Sequence, residues 1–247
     1  MVLSFLVQIG FFAQEPRRLA RDVARFTRVA SDTRQSGPRL HLEMIRGGLH
    51  VLQGDLDGCE ACFDVAESLL PDDVVTIQRF AVARQRFIAR PWSPDPAREL
   101  EAYLAVHGSD RRYRLTKNIW AGLHWSIFAM LEANALRVGD RRARPRRLRS
   151  SARAASSSPP LMASMATRAL AYAEDALGRP ERALELLARA AAEADAHGRP
   201  VDAAIARYQR GRRLGGDEGR EAMERARAEV TRVGASPRLL DEDAGGR

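Results

Sequence analysis

Apolar residues recur along most of this chain at spacings of three and four, the period of an amphipathic helix. Leu19, Val23, Phe26 and Ala30 form one such stripe over 16–30. A second helix is predicted over 38–53 and stops at Gly54. Asp55 is the expected N-cap of a third, whose Leu56, Cys59, Phe63, Ala66 and Leu70 share a face. Pro71 closes it, and Asp72 or Asp73 caps a fourth running to about Arg90. Pro91, Pro94 and Pro96 make the next stretch a loop, because proline inside a helix removes a donor and clashes with the preceding turn. A short helix is predicted over 95–106 and a long one over 110–138. The long one is apolar on two sides: Leu115, Ile119, Leu123, Ile127 and Met130 on one, Trp120, His124, Phe128 and Leu131 on the other. All-round apolarity predicts a central helix covered on both flanks.

Segment 141–157 is the weakest. Pro145 falls within its second turn and only Ala143, Leu148, Ala152 and Ala155 offer a stripe, so a poor helix is expected there. The C-terminal third is clearer. Helix 161–177 stops at Gly178, and Pro180 opens helix 180–196 at the position where a missing N–H costs nothing. Val201, Ala204, Ile205 and Tyr208 follow in the next helix, and Asp217 is expected to cap a last one to about Val233. Residues 236–247 are expected to form a disordered tail. The sum is about twelve helices in six hairpins and no strand.

The breaks recur at a steady interval. Gly54, Pro94, Gly139, Gly178 and Gly215 are separated by 40, 45, 39 and 37 residues. Two helices per period of that size is the mark of an α-helical repeat array. The expected fold is therefore all-α: a right-handed superhelical stack of antiparallel hairpins, a tetratricopeptide-like α-solenoid over 1–235. Arrays of this kind bind other proteins along extended surfaces.

Leu170 to Ala190 resembles a tetratricopeptide repeat: Leu170-Ala171 stands at the Leu-Gly pair of its first helix, Gly178 ends that helix, and Ala183, Leu187 and Ala190 match the small, large, small positions of the second. Gly54, Cys59, Phe63 and Ala66 repeat the spacing; the motif's Trp and Tyr are missing from both. Residues 159–240 are also similar to the C-terminal repeat tail of bacterial eukaryotic-like serine/threonine kinases that carry an ATPase module. The similarity is to the tail alone. The chain has no Gly-rich loop with a downstream lysine, no His-Arg-Asp, no Asp-Phe-Gly and no phosphate loop. What it implies is a regulatory rather than a catalytic role.

Composition changes this picture little. The net charge of +8 invites a nucleic-acid reading, but Lys117 is the one lysine among 40 basic residues, a skew that coding bias explains. The excess is also local: residues 137–153 hold eight Arg against Asp140, a net +7. The two cysteines give no disulfide framework. The apolar run Met1 to Phe12 is too short to span a bilayer and lacks the positive start of a secretory signal, so a cytoplasmic protein is expected. Terminal repeats of solenoids are usually polar outside. The run is therefore expected to mark a truncated array, a self-associating end, or a missing upstream module.

Candidate chemistry is sparse. Cys59-Glu60-Ala61-Cys62 would be a redox pair or half a zinc site, but there is no second cysteine pair and no paired histidines, and Cys59 sits at a small-residue packing position. Gly215-Gly216-Asp217-Glu218-Gly219 resembles the signature of cyclic-dinucleotide synthases only superficially. It joins two helices and ends in Gly where that motif has an aromatic, so a turn is expected. Arg144, Arg146, Arg147 and Arg149 form a candidate anion-binding run; without interleaved aromatics a solvated face is favoured over nucleic-acid binding. Tyr113, Trp120, His124 and Trp125 are the candidate protein-binding residues, with core packing as the alternative. No catalytic, metal or cofactor residue is assigned. The expected function is a protein-interaction scaffold or regulatory module in bacterial signalling, with a protein or peptide partner; the alternatives are a detached regulatory tail of a serine/threonine kinase or signalling ATPase, and nucleic-acid binding through the Arg-rich segment 141–153.

Overall fold

A helix that must end in water leaves carbonyls without partners, and this chain solves that problem the same way five times. The computed structural model describes residues 16–31, 36–70, 96–107, 119–157 and 160–240. They form α1 (Pro16–Ser31), α2 (Ser36–Leu52), α3 (Leu56–Ser68), α4 (Pro96–His107), α5 (Ile119–Arg137), α6 (Pro145–Ala155), α7 (Ala163–Ala176), α8 (Pro180–Ala196), α9 (Pro200–Leu214) and α10 (Gly216–Arg232). Short 3-10 turns lie at Pro160–Met162 and Pro237–Leu240. No strand occurs among the described residues. Helices α2, α5, α7, α8 and α10 each end on a glycine in the left-handed region: Gly54, Gly139, Gly178, Gly198 and Gly234. In each, the N–H of the residue after the glycine returns to the carbonyl five residues earlier. Arg179 to Glu174 and Arg199 to Ala194, both at 2.9 Å, are examples. This is the Schellman stop, which satisfies two orphan carbonyls and turns the chain sharply. Proline then opens α8 and α9 at their first positions.

The chain divides into two compact units, Met1–Ala89 with Val230–Leu239, and Arg90–Glu229 with Leu240–Arg247. In the first, α1 packs on α2 and α2 on α3. Asp55 caps α3 as expected, accepting the Gly58 N–H at 2.9 Å, and also meets His50 Nδ1 at 2.8 Å. The core of the α2–α3 hairpin is Leu40, Met44, Cys59, Phe63, Ala66 and Leu70, the stripe read from the sequence joined by two residues of α2. Gly47 lets the helices close, since a Cβ there would sit 3.0 Å from the Phe63 ring.

In the second unit the helices pack in order, α4 on α5 and so on to α8 on α9, and α7 also packs on α5 and on α9. Helix α5 is covered by α4, α6 and α7, the central position its apolar pattern predicts. Helices α9 and α10 cross where two glycines meet: a Cβ on Gly211 would lie 2.7 Å from the Gly219 carbonyl oxygen.

Three expectations are corrected. Segment 141–157 contains a regular helix, α6, because Pro145 is its first residue rather than an interior one; Arg144 before it is extended, and Leu148, Ala152 and Ala155 are buried. Asp217 does not stand before α10. The helix begins at Gly216, so Asp217 lies in its first turn and pairs with Arg220. The tail does not loosen at Ser236: its N–H donates to the Leu52 carbonyl at 2.7 Å, and Leu239 and Leu240 are buried. The predicted helix over 73–90, the loop before Pro96, residues 110–118, the run Met1 to Phe12 and residues 241–247 lie outside the described residues.

Candidate functional site

Glu132 is the one formal charge between Ile119 and Leu136, and it is 0 % exposed. A buried carboxylate needs donors, and the start of α6 supplies them. Glu132 Oε1 accepts the backbone N–H of Arg144 at 2.5 Å, and Oε2 accepts Nε of Arg147 at 2.6 Å. Arg144 is the N-cap residue of α6 and makes no side-chain cap bond itself. A carboxylate from α5 therefore stands at the positive end of the α6 dipole, where negative charge is stabilised. Arg147 also donates to the Arg142 carbonyl at 2.7 Å and lies 5.7 Å over the Phe128 ring.

Beside this pair is an aromatic cluster. His124, 5 % exposed, stacks against Tyr103 and Phe128, which also stack on each other, and Trp125 meets its edge at 4.8 Å. The Tyr103 hydroxyl lies 2.7 Å from His124 Nδ1 and donates to the His124 carbonyl at 3.3 Å. Of the four residues proposed to bind a partner, His124 is thus in the interior and Trp125 is half-buried. Trp120 is in the first turn of α5, and Tyr113 lies outside the described residues.

The arginine run separates into two groups. Arg147, with Arg142, is tied into the fold; Arg142 reaches Asp140 and Glu101. These contacts, first of all the backbone N–H of Arg142, hold the Asp140 carboxyl below its ordinary range. The side chains of Arg144, Arg146 and Arg149 are exposed, and Arg153 joins them about two helical turns after Arg146. Glu132 was missed in the sequence because its partners lie twelve and fifteen residues on, in another helix. Its isolation in an apolar helix was the available signal.

Elsewhere polar groups are buried in pairs. Arg199 and Arg168 approach Asp202 at 2.6 and 3.6 Å, all three side chains being buried. Gln209 donates to the Tyr172 hydroxyl at 2.5 Å, and Arg213 holds Asp175 at 2.9 Å while lying over the Tyr172 ring. These tie α7 to α9. Cys59 and Cys62 are buried thiols outside any disulfide, and burial, with Glu43 beside it, pushes the Cys62 thiol up to about 11. Among the described residues no three His, Cys, Asp or Glu side chains are placed to hold a metal ion, and no helix is long and apolar enough to cross a membrane.

No protein-family model, no curated protein and no solved structure matches the chain. What the described residues define is an all-α protein of two compact units, in each of which successive helices pack together and several end on glycine stops.

Proposed function

We propose that this protein is a non-catalytic interaction scaffold or regulatory module, a degenerate tetratricopeptide-like array that binds a protein or peptide partner in signalling. One observation supports the reading above others: the same glycine stop and tight turn recur at Gly54, Gly139, Gly178, Gly198 and Gly234, with successive helices packed together within each unit, α1 to α3 and α4 to α9, and α7 also packed on α5 and α9. Repetition of one turn is what a chain built from copies of a helical unit would keep. The similarity of 159–240 to a kinase repeat tail directs the search for partners to signalling proteins. Helix α5, with Trp125 half-buried upon it, is the first surface to probe.

The test is quantitative capture from lysate of the host cell, using the purified chain and a Trp125→Ala variant. A partner retained at fixed stoichiometry and weakened by the variant would support the reading. If nothing is retained above a helical control protein of equal charge, the scaffold reading falls.

A further inference from the structure

The exposed arginines of α6 have no acidic residue on their own helix, whereas those of the helices that follow stand among carboxylates, including Arg225 and Arg232, which share α10 with Glu221, Glu224 and Glu229. On α7 to α10 and their turns, Arg179, Arg182, Arg189, Arg207, Arg213 and Arg220 each face a carboxylate of this chain. On α6, Arg146, Arg149 and Arg153 are exposed at i, i+3 and i+7, on one face, and the structure gives none of them a carboxylate partner among the described residues. Residues 141–173 contain no Asp or Glu at all. A coding bias toward arginine would supply the cations; it would not withhold the carboxylates.

The arrangement also runs against the helix that carries it. Arg146 repels Arg149 three residues on, and Arg149 repels Arg153 four residues on. Arg146 and Arg147 occupy the first turn, which has no acid of its own. Local choices that oppose the fold without a gain inside it mark places kept for another purpose.

We propose that this face of α6 docks an acidic helical segment of a protein partner, with carboxylates at one-turn intervals meeting Arg146, Arg149 and Arg153. The proposal rests on the scaffold reading and specifies the chemistry of the partner. Seven residues of helix span about 10 Å, so acids at i, i+4 and i+7 of a facing helix have the same reach. Guanidinium forks pair bidentately with carboxylates. Duplex nucleic acid is a poorer fit, since the face offers Arg and Ser150 but no Asn, Gln or aromatic for bases. A bilayer is poorer still: the face has no Trp, Phe or Leu to enter the acyl boundary.

The experiment titrates the full chain with a labelled helical peptide carrying glutamates at one-turn intervals, with a DNA duplex, and with phosphatidylserine-containing vesicles. Removing all three charges (R146Q, R149Q and R153Q together) should weaken the peptide about tenfold, the sum of three exposed pairs. The same charge change at Arg182, Arg189 and Arg220 should weaken it less than about twofold. A thermal melt checks that the first variant folds; it loses the repulsions between neighbouring arginines and one favourable charge, Arg153, in the last turn of α6, so its melt should be little changed. Equal weakening by both variants, or tighter binding of DNA or vesicles than of peptide, would overturn the proposal. Repeating the lysate capture with the first variant separates the two readings. A partner still held means that docking on α6 is wrong and the scaffold stands. A partner lost supports both.

Discussion

Glu132 on α5 and Arg147 on α6 form an ion pair in which the carboxylate is wholly buried while the guanidinium stays partly in water. The same carboxylate receives the backbone N–H that opens α6. One side chain thus serves as counter-ion and as substitute cap for a helix whose own N-cap residue makes no side-chain bond. Glu132→Ala leaves both donors short of an acceptor in the interior. The expected loss is about 3 kcal/mol, at the low end for a broken buried pair because Arg147 can turn to solvent. Glu132→Gln keeps an oxygen for the Arg144 N–H and should lose less. Chemical denaturation of the three proteins should rank them in that order; equal midpoints would remove Glu132 from the account of α6.

The glycine crossing of α9 and α10 makes an opposite prediction to helix propensity. Alanine favours a helix over glycine by about 1 kcal/mol, yet Gly211→Ala would press a methyl against the Gly219 carbonyl. Net destabilisation of about 1–3 kcal/mol is expected from overpacking. Gly37→Ala, in α2 with nothing within 4 Å, is the control and should be neutral or stabilising. A melt in which Gly211→Ala rises with Gly37→Ala would show that the two helices do not approach so closely.

Asp55 caps α3 through the Gly58 N–H, and that bond, with His50 beside it, holds its carboxyl below the ordinary 3.8. A depressed folded value means that the cap stabilises above pH of about 3.8 and is lost as pH falls through the lower folded value. Asp55→Ala should lower the melting temperature at neutral pH, and Asp55→Asn, itself a good cap, should restore most of it. The gap in melting temperature between the parent chain and Asp55→Ala should shrink in acid. A constant gap would mean that the carboxylate charge plays no part.

The Cys62 thiol is raised from 9.0 to about 11, chiefly by burial and then by Glu43. At neutral pH it is protonated and should react with thiol reagents only on unfolding, since the thiolate is the nucleophile. The unfolded chain ionises first, so stability should fall between about pH 9 and about pH 11. In Cys62→Ala that part of the fall should disappear. Fast labelling of the folded protein would contradict the burial of this thiol.

Local signals carried the helices well. Asp55 as cap, Pro180 as first residue and Gly178 as stop are each decided by a few adjacent residues, and the structure agrees. Pro145 failed the same test because a proline reads alike as a breaker and as a first residue; the extended Arg144 before it, which the proline ring favours, settles which, and the acceptor for its N–H, Glu132, comes from another helix. Asp217 failed because Gly216 already belongs to α10. The aromatic residues were legible as a group but not by position: His124 is interior because Tyr103, 21 residues earlier, reaches it. Contacts across that distance leave no periodic trace. The division of the arginines into tied and exposed groups is equally non-local, whereas the absence of acids from 141–173 was open to inspection throughout.

The hydrogen bond from Ser236 to Leu52, with Gly234 beside Arg17, joins parts of the first unit separated by most of the chain. A ribosome delivers α1 to α3 long before residues 230–239. The unit that is begun first is therefore finished only after the other unit has been made, and its closing contact carries the high entropic cost of a very long loop. Synthesis order and completion order run in opposite directions in this molecule, and a chain released before Ser236 would leave its opening helices waiting for a piece that never arrives.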